Sequence, residues 1–163
     1  MHEPSDLPLT QLGRREARRA DQDRTLAAML ELEAALETAA PGREPAWSAT
    51  VLAALAVLDS ATSDEYTNAN DPDSLLSDIK RTQPRLRTRV RGLRTQYEQL
   101  RQAIQSIRAE LTPDEEGSDY SDVRQRLSWM LTALRHQRAR ESDLIYEAYY
   151  DAFRTDLSND PVQ

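Results

Sequence analysis

Residues 86–111 carry the tightest constraint in the chain. Leu86, Val90, Leu93, Tyr97, Leu100, Ile104, Ile107 and Leu111 recur at alternating steps of four and three. That spacing keeps one apolar stripe on a single side of an α-helix. Such a stripe has to be buried against other helices, and the alternation of fours and threes is the seam of an antiparallel bundle.

Three further segments can supply the partners. From Trp47 to about Asn68, Val51, Leu55, Leu58, Thr62 and Glu65 repeat at the spacing of one buried face. From about Leu9 to Ala39, Leu9, Leu12, Leu26, Leu30 and Leu36 lie roughly on one stripe. From about Tyr120 to Leu157, the face is Leu127, Leu131, Leu134, Arg138, Glu141, Ile145 and Ala148. The breaks between them are chemical. "APGREP" holds Pro41, Gly42 and Pro45, "NANDPD" places Asn70 and Asp71 before Pro72, and "TPDEEGSD" (112–119) is a loop. A short helix over 73–81 is expected before Pro84, which kinks it or opens the next long helix.

The expectation is one all-α domain over residues 1–163, an up-down-up-down four-helix bundle with helices at about 9–39, 47–68, 84–111 and 120–157. Composition agrees. Glycine is scarce, with 4 residues, and the apolar positions are mostly Ala and Leu, both strong helix formers.

Composition also removes whole classes of chemistry. Without cysteine there is no disulfide, no thiolate catalysis and no Cys-ligated metal. The four glycines, Gly13, Gly42, Gly92 and Gly117, are isolated, so no phosphate-cradling loop exists. Ser60, Ser63 and Ser142 have no patterned histidine partner, which gives nucleophilic catalysis little support. A net charge of −7 argues against nucleic acid as a partner. The longest apolar run, "ATVLAALAVL" (49–58), is about half a membrane span. The opening "MHEPSD" is unlike a signal peptide. A cytoplasmic, bacterial-type protein that does not engage membranes is the expectation.

The informative positions are those where a stripe turns polar, because bundle cores are built from apolar residues. Arg138 and Glu141 fall in phase with leucines, as do Thr62 and Glu65. In "RREARRADQDR" (14–24) the stripe either passes through Glu16, Arg19 and Asp23 or the half-helix is frayed. Folding about a turn near residue 43 brings Asp23 and Glu65 to nearly one depth. Folding about residue 115 sets Glu141 level with Arg89 or Val90, and His136 with Arg94. Arg19, Asp23, Glu65, Arg138 and Glu141 could then form a closed ionic layer or line a pocket.

In "ATSDE" a carboxylate, Glu65, sits four residues after Ala61, and in the last helix Glu141 follows His136 by five. With the bundle layout and the tail "ESDLIYEAYYDAF", these positions resemble the hemerythrin-like (HHE) domain family. The resemblance covers most of the chain in layout and the last helix in wording. Family members hold a di-iron centre through histidines and carboxylates from all four helices. The second-helix His-x-x-x-Glu matches Ala61 to Glu65, with the carboxylate kept and the histidine replaced. The third-helix His-x-x-x-His falls on "RTQYEQL" (94–100), which has none, and the first helix has none near residues 18–24. Carried over residue by residue, the ligand positions are Glu65, His136 and Glu141.

The resemblance therefore implies a member that has lost or replaced its ligands: a metal-free, non-enzymatic binding or structural module with no cofactor. The alternative is a non-heme iron or manganese protein with an altered ligand set, in oxygen or redox sensing. Residues 136 and 141 stand about 140° apart around a helix. Gln137 or Arg138, rather than His136, falls on the core face.

Two surface features remain. The stretch "KRTQPRLRTRVRGLR" (80–94) has seven basic residues and no acidic one, and pairing with Asp and Glu of neighbouring helices is the expectation. Tyr146–Tyr150 and Tyr149–Phe153 form two i,i+4 pairs that cap the bundle against Trp47 or the 73–81 segment, or form a surface for a homodimer or another protein partner.

Overall fold

All of the expected helices form in a computed structural model, which describes residues 11–38, 44–111 and 120–158. Helix α1 spans Gln11–Glu37, α2 Glu44–Asn70, α3 Leu75–Thr82, α4 Arg87–Glu110 and α5 Tyr120–Ser158. A 3-10 turn at Pro84–Leu86 leads into α4, so Pro84 opens the long helix and does not kink it. The described residues are all-helical, without a strand. Leu9 and the turns at 39–43 and 112–119 lie outside the described residues.

Helix α2 begins earlier than its pattern suggests. Pro45 sits in its first turn, where a missing N–H breaks no helical bond, so this proline starts the helix instead of ending the preceding turn. Helix α3 starts on Ser74, whose hydroxyl accepts from the Ser77 N–H at 3.1 Å. Arg94 of α4 fastens this corner, donating to the Ala69 carbonyl at 3.0 Å and to the Ser77 hydroxyl at 2.7 Å.

The helices pair in reverse order along the chain. Asp21 meets Asn68, Arg24 meets Asp64 and Thr25 meets Glu65 between α1 and α2. Between α4 and α5, Arg126 pairs with Glu110, Gln137 donates to the Leu93 carbonyl at 3.2 Å and Arg89 reaches Glu147, which Arg85 of the preceding 3-10 turn also reaches. The contact of 137 with 93 is the level expected for folding about residue 115. Helix α2 packs between α1 and α4, and α4 between α2 and α5.

The buried residues divide into two apolar cores. The larger takes Met29 and Leu32 from α1, Val51, Leu55 and Leu58 from α2, Ile104 and Ile107 from α4, and Leu127 and Leu131 from α5. The smaller takes Ala69 of α2, Leu75, Leu76 and Ile79 of α3, Leu86 just ahead of α4, Val90 and Leu93 of α4, and Leu144 and Ala148 of α5. Between them the buried face is polar. In α2, Thr62 and Glu65 stand between Ala61 and Ala69; in α4, Tyr97 stands between Leu93 and Ile104; in α5, Gln137 and Glu141 stand between Leu134 and Leu144.

Helix α1 departs from its expected stripe. Leu12 and Leu30 are exposed, at 64% and 54%, while Ala28, Met29, Leu32, Ala35 and Leu36 are buried. The working seam is Arg18, Gln22, Thr25, Met29, Leu32 and Leu36, again in fours and threes. A stripe read only from leucines misses it by one residue.

The stretch Pro45–Thr82 contains a window of mean hydropathy 1.2, long and apolar enough by length and composition alone to cross a membrane, although its longest unbroken apolar run is short. Its face of Val51, Leu55 and Leu58 is nonetheless fully enclosed by the larger core.

The two readings of α1 separate in a denaturation experiment. Leu32→Ala should lower stability by about 2–5 kcal/mol, the cost of emptying a closed core site. Leu30→Ala should stay within about 0.5 kcal/mol in urea titrations followed by circular dichroism.

Candidate functional site

Each of the four long helices gives the polar belt one principal side chain: Arg18, Glu65, Tyr97 and Glu141. All are deeply buried, with exposures of 5%, 3%, 6% and 0% in that order. Arg18 places its Nε and Nη2 against the two oxygens of Glu141, a bidentate ion pair. Its Nη2 also lies 2.9 Å from Glu65 Oε1 and donates to the Tyr97 hydroxyl at 2.5 Å. The Tyr97 hydroxyl contacts Glu141 Oε2 and lies 3.0 Å from Glu65 Oε1, so its single proton is shared between two carboxylates. Thr25 donates to Glu65 Oε2 at 2.5 Å and Gln22 to Glu141 Oε1 at 3.0 Å.

Local structure explains why these side chains converge. Arg18, Gln22 and Thr25 follow one another on α1 at steps of four and three, so they form a polar row continuous with Met29 and Leu32. The Tyr97 ring belongs to the apolar seam of α4, and Arg18 lies 5.4 Å from its centroid. A tyrosine here serves both sides of the boundary, with its ring among leucines and its hydroxyl in the belt.

Burial sets the electrostatics. For Arg18, burial alone opposes the charged form, but the Glu141 charge and hydrogen bond, with Tyr97 and Glu65, outweigh it and hold the guanidinium protonated beyond its usual range. Burial pushes the Glu65 carboxyl above its ordinary value, with Arg18, Thr25 and Tyr97 only partly offsetting this. Burial, joined by the Glu141 charge, pushes the Tyr97 phenol far up. Glu65 is thus the carboxylate of the cluster that burial disposes to take up a proton.

Of the residues singled out from the sequence, Glu65 and Glu141 come together. Arg19, Asp23, Arg138 and His136 do not join them. Arg19 and Asp23 are exposed, and the buried arginine is Arg18, one residue away, because the α1 seam is displaced from the leucine stripe. Arg138 is half-buried at the rim, donating to the Gln22 carbonyl at 3.3 Å and standing 3.7 Å from Asp23. Gln137 holds the core position on α5, and His136 is exposed. The residues that sequence reasoning missed are Arg18, Gln22 and Thr25. The signal was their phase with Met29, Leu32 and Leu36.

The donor set does not fit a metal ion. The carboxylate oxygens of Glu65 and Glu141 are engaged by Arg18, Thr25, Gln22 and Tyr97, and a guanidinium stands where a cation would balance them. Among the described residues no group of three or more His, Cys, Asp or Glu is placed to hold a metal ion. Comparison with known protein families, curated protein sequences and solved structures finds no match to this chain.

Two measurements test the cluster. Glu141→Ala removes the bidentate partner of a buried guanidinium, leaving Glu65 as its one carboxylate, and should cost about 3–5 kcal/mol of unfolding free energy. Glu65→Gln should change the pH dependence. A carboxyl whose folded value is raised binds its proton more tightly in the folded chain. Its stabilising contribution is therefore full below the unfolded value near 4.5 and is lost as pH rises through the folded value. Urea unfolding should show wild type losing ground to Glu65→Gln as pH rises above about 4.5. Glu147, held below the usual carboxylate range by Arg89 and Arg85, runs with the opposite sign but is common to both proteins and cancels.

Proposed function

We propose that this chain is a divergent hemerythrin-like bundle of up-down-up-down topology whose central cation is an arginine, a metal-free, non-enzymatic binding or structural module. The observation that supports it is the convergence of Glu65 and Glu141 on Arg18. The resemblance assigns metal-ligand positions to those two carboxylates, and here one guanidinium meets both. A permanent side-chain cation gives the carboxylates a charge partner without exchangeable metal, and it ties α1 to the other three long helices. On this reading His136, exposed on α5, is a surface histidine.

The remaining surface favours protein partners over nucleic acid. Of the basic stretch 80–94, Arg81 pairs with Asp78, and Arg85 and Arg89 pair with Glu147. Tyr146 and Tyr150 stack at 5.6 Å between centroids yet remain largely exposed, which supports a homodimer through α5. The neighbouring Tyr149 packs on the smaller core beside α3, and Trp47 meets Tyr120 edge-on at 5.6 Å, away from that tyrosine cluster. The side chain of Phe153 lies outside the described residues. The enclosed face of α2 supports a helix that packs within the bundle, and the cytoplasmic setting rests on the sequence expectation alone.

Elemental analysis of the untagged protein tests the reading. Metal should be at trace level, and the unfolding temperature should not respond to chelator. One or two equivalents of iron or manganese, lost on changing Glu65 or Glu141, would establish the altered-ligand metal protein instead. A complementary variant, Arg18→Ala, leaves two carboxylates facing each other without a cation. Manganese should raise its unfolding temperature and leave that of wild type unchanged, since an ion that binds only the folded state stabilises it by mass action.

A further inference from the structure

Charged side chains on the flanks of α5 turn back toward the bundle. Arg126 pairs with Glu110 of α4, Arg135 with Glu33 of α1, and Glu147 with Arg85 and Arg89. Three others do not. His136, Arg140 and Asp143 are exposed and enter no hydrogen bond or ion pair among the described residues.

Two of the three belong to a longer row. Trp129, Thr132, His136, Ala139, Asp143 and Tyr146 are all exposed and follow at alternating steps of three and four. Tyr150, stacked on Tyr146, continues the alternation. That spacing keeps the row on one side of the helix, opposite the buried Leu127, Leu134, Glu141 and Ala148. Helix α5 therefore carries two seams, an inner one filled by this bundle and an outer one that no described residue covers. Trp129, at 74% exposure, and Tyr146, at 69%, mark the two ends of the outer seam.

The outer seam is complementary to its own reverse. His136 and Asp143 stand equally far on either side of the midpoint between Ala139 and Arg140, and so do Trp129 and Tyr150. A second copy laid antiparallel, with a two-fold axis at that midpoint, sets His136 against Asp143 and Trp129 against the Tyr146–Tyr150 stack. Such a contact is isologous, so each pairing is made twice. Ala139 meets Ala139 at the axis, where a small side chain lets two helix backbones approach. Arg140 borders the seam beside the axis and faces Asp143 of the second copy, so two guanidinium and two carboxylate charges balance there. A parallel pairing would instead set Asp143 on Asp143 and Arg140 on Arg140. The aromatic ends lie about 30 Å apart at 1.5 Å per residue. A small ligand cannot reach both, whereas an antiparallel copy covers both at once. Tryptophan, tyrosine and arginine are the residues enriched where protein surfaces meet.

We propose that the chain forms an antiparallel, two-fold homodimer through the outer seam of α5, with His136 on Asp143 and Trp129 on the Tyr146–Tyr150 stack of the second copy. The pairing rests on the reading of α5 as a homodimer surface and names its contacts.

The chain has no cysteine, so introduced thiols report on the pairing alone. Sedimentation equilibrium of the full chain should give a dimer with a dissociation constant of about 10 μM or tighter. Trp129→Ser and Asp143→Arg, both at exposed positions, should each weaken it at least about tenfold. Ala139→Cys should form a covalent dimer under oxidised glutathione, since a disulfide needs Cα atoms within about 7 Å. His136→Cys and Asp143→Cys should not link alone, because two-fold related copies of either residue lie about 10 Å apart along the helix. Mixed together, these two variants should link to each other. A monomer at about 200 μM would overturn the homodimer itself. Self-linking of His136→Cys and of Asp143→Cys would mean a parallel dimer, which overturns the pairing and leaves dimerisation through α5 standing. A dimer that Trp129→Ser and Asp143→Arg leave intact would use another face and would overturn the proposal.

Discussion

The ion pair between Arg18 and Glu141 is the contact on which the rest of the arrangement turns. A guanidinium and a carboxylate removed from water lose several kcal/mol of hydration each, which only close, well-saturated geometry recovers. Here the bidentate pair is reinforced by Glu65, Tyr97, Thr25 and Gln22, so that all four long helices hold each other at one level. An apolar layer of the same volume would be no less stable on physical grounds. It would, however, let the helices slide by a turn, because leucine against leucine specifies position weakly. The polar belt specifies it strongly, since a one-turn slip of α1, α2 or α5 would part a buried charge from its partner and a slip of α4 would withdraw the Tyr97 hydroxyl from Arg18 and both carboxylates.

The surface, too, is heavily arginine-paired. Outside the core, Arg24 with Asp64, Arg108 with Asp59, and Arg85 and Arg89 with Glu147 tie neighbouring helices together. Arg15, Arg101 and Arg124 lie over Tyr149, Tyr66 and Trp47 at 5.0–5.6 Å. With one lysine in the chain, these roles fall to a side chain whose planar fork suits both carboxylates and ring faces. Exposed pairs of this kind add little stability singly. Arg94 does more than pair, because it satisfies the terminal carbonyl region of α2 from a different helix.

Legibility in the sequence followed the strength of the pattern. The faces of α2 and α4 could be read residue by residue, because their apolar positions are large and in strict phase. Glu65 and Glu141 were legible as buried charges for the same reason, since a carboxylate in phase with leucines has nowhere else to point. Arg18 was not, because α1 carries leucines off its seam at Leu12 and Leu30 and small or polar residues on it. Arg19 was the nearer neighbour of the wrong stripe. Tyr97 was read as an apolar seam position, which its ring is, and nothing in the spacing announced that its hydroxyl would serve two carboxylates. The resemblance to a metal-binding family directed notice to His136, whose place on the helix is set by Gln137 taking the buried position beside it.

The division into two cores has a mechanical consequence for α1. Its second half is anchored by hydrocarbon, through Met29, Leu32 and Leu36, whereas its first half is attached by Arg14, Arg18 and the Asp21–Asn68 contact. Detaching that first half would expose hydrogen-bonding groups and little apolar surface. Since the response to denaturant scales with the surface uncovered, such an opening would proceed almost as readily in dilute buffer as in urea. It would behave as a native-state fluctuation of one helix end about a hinge near Thr25, separate from global unfolding.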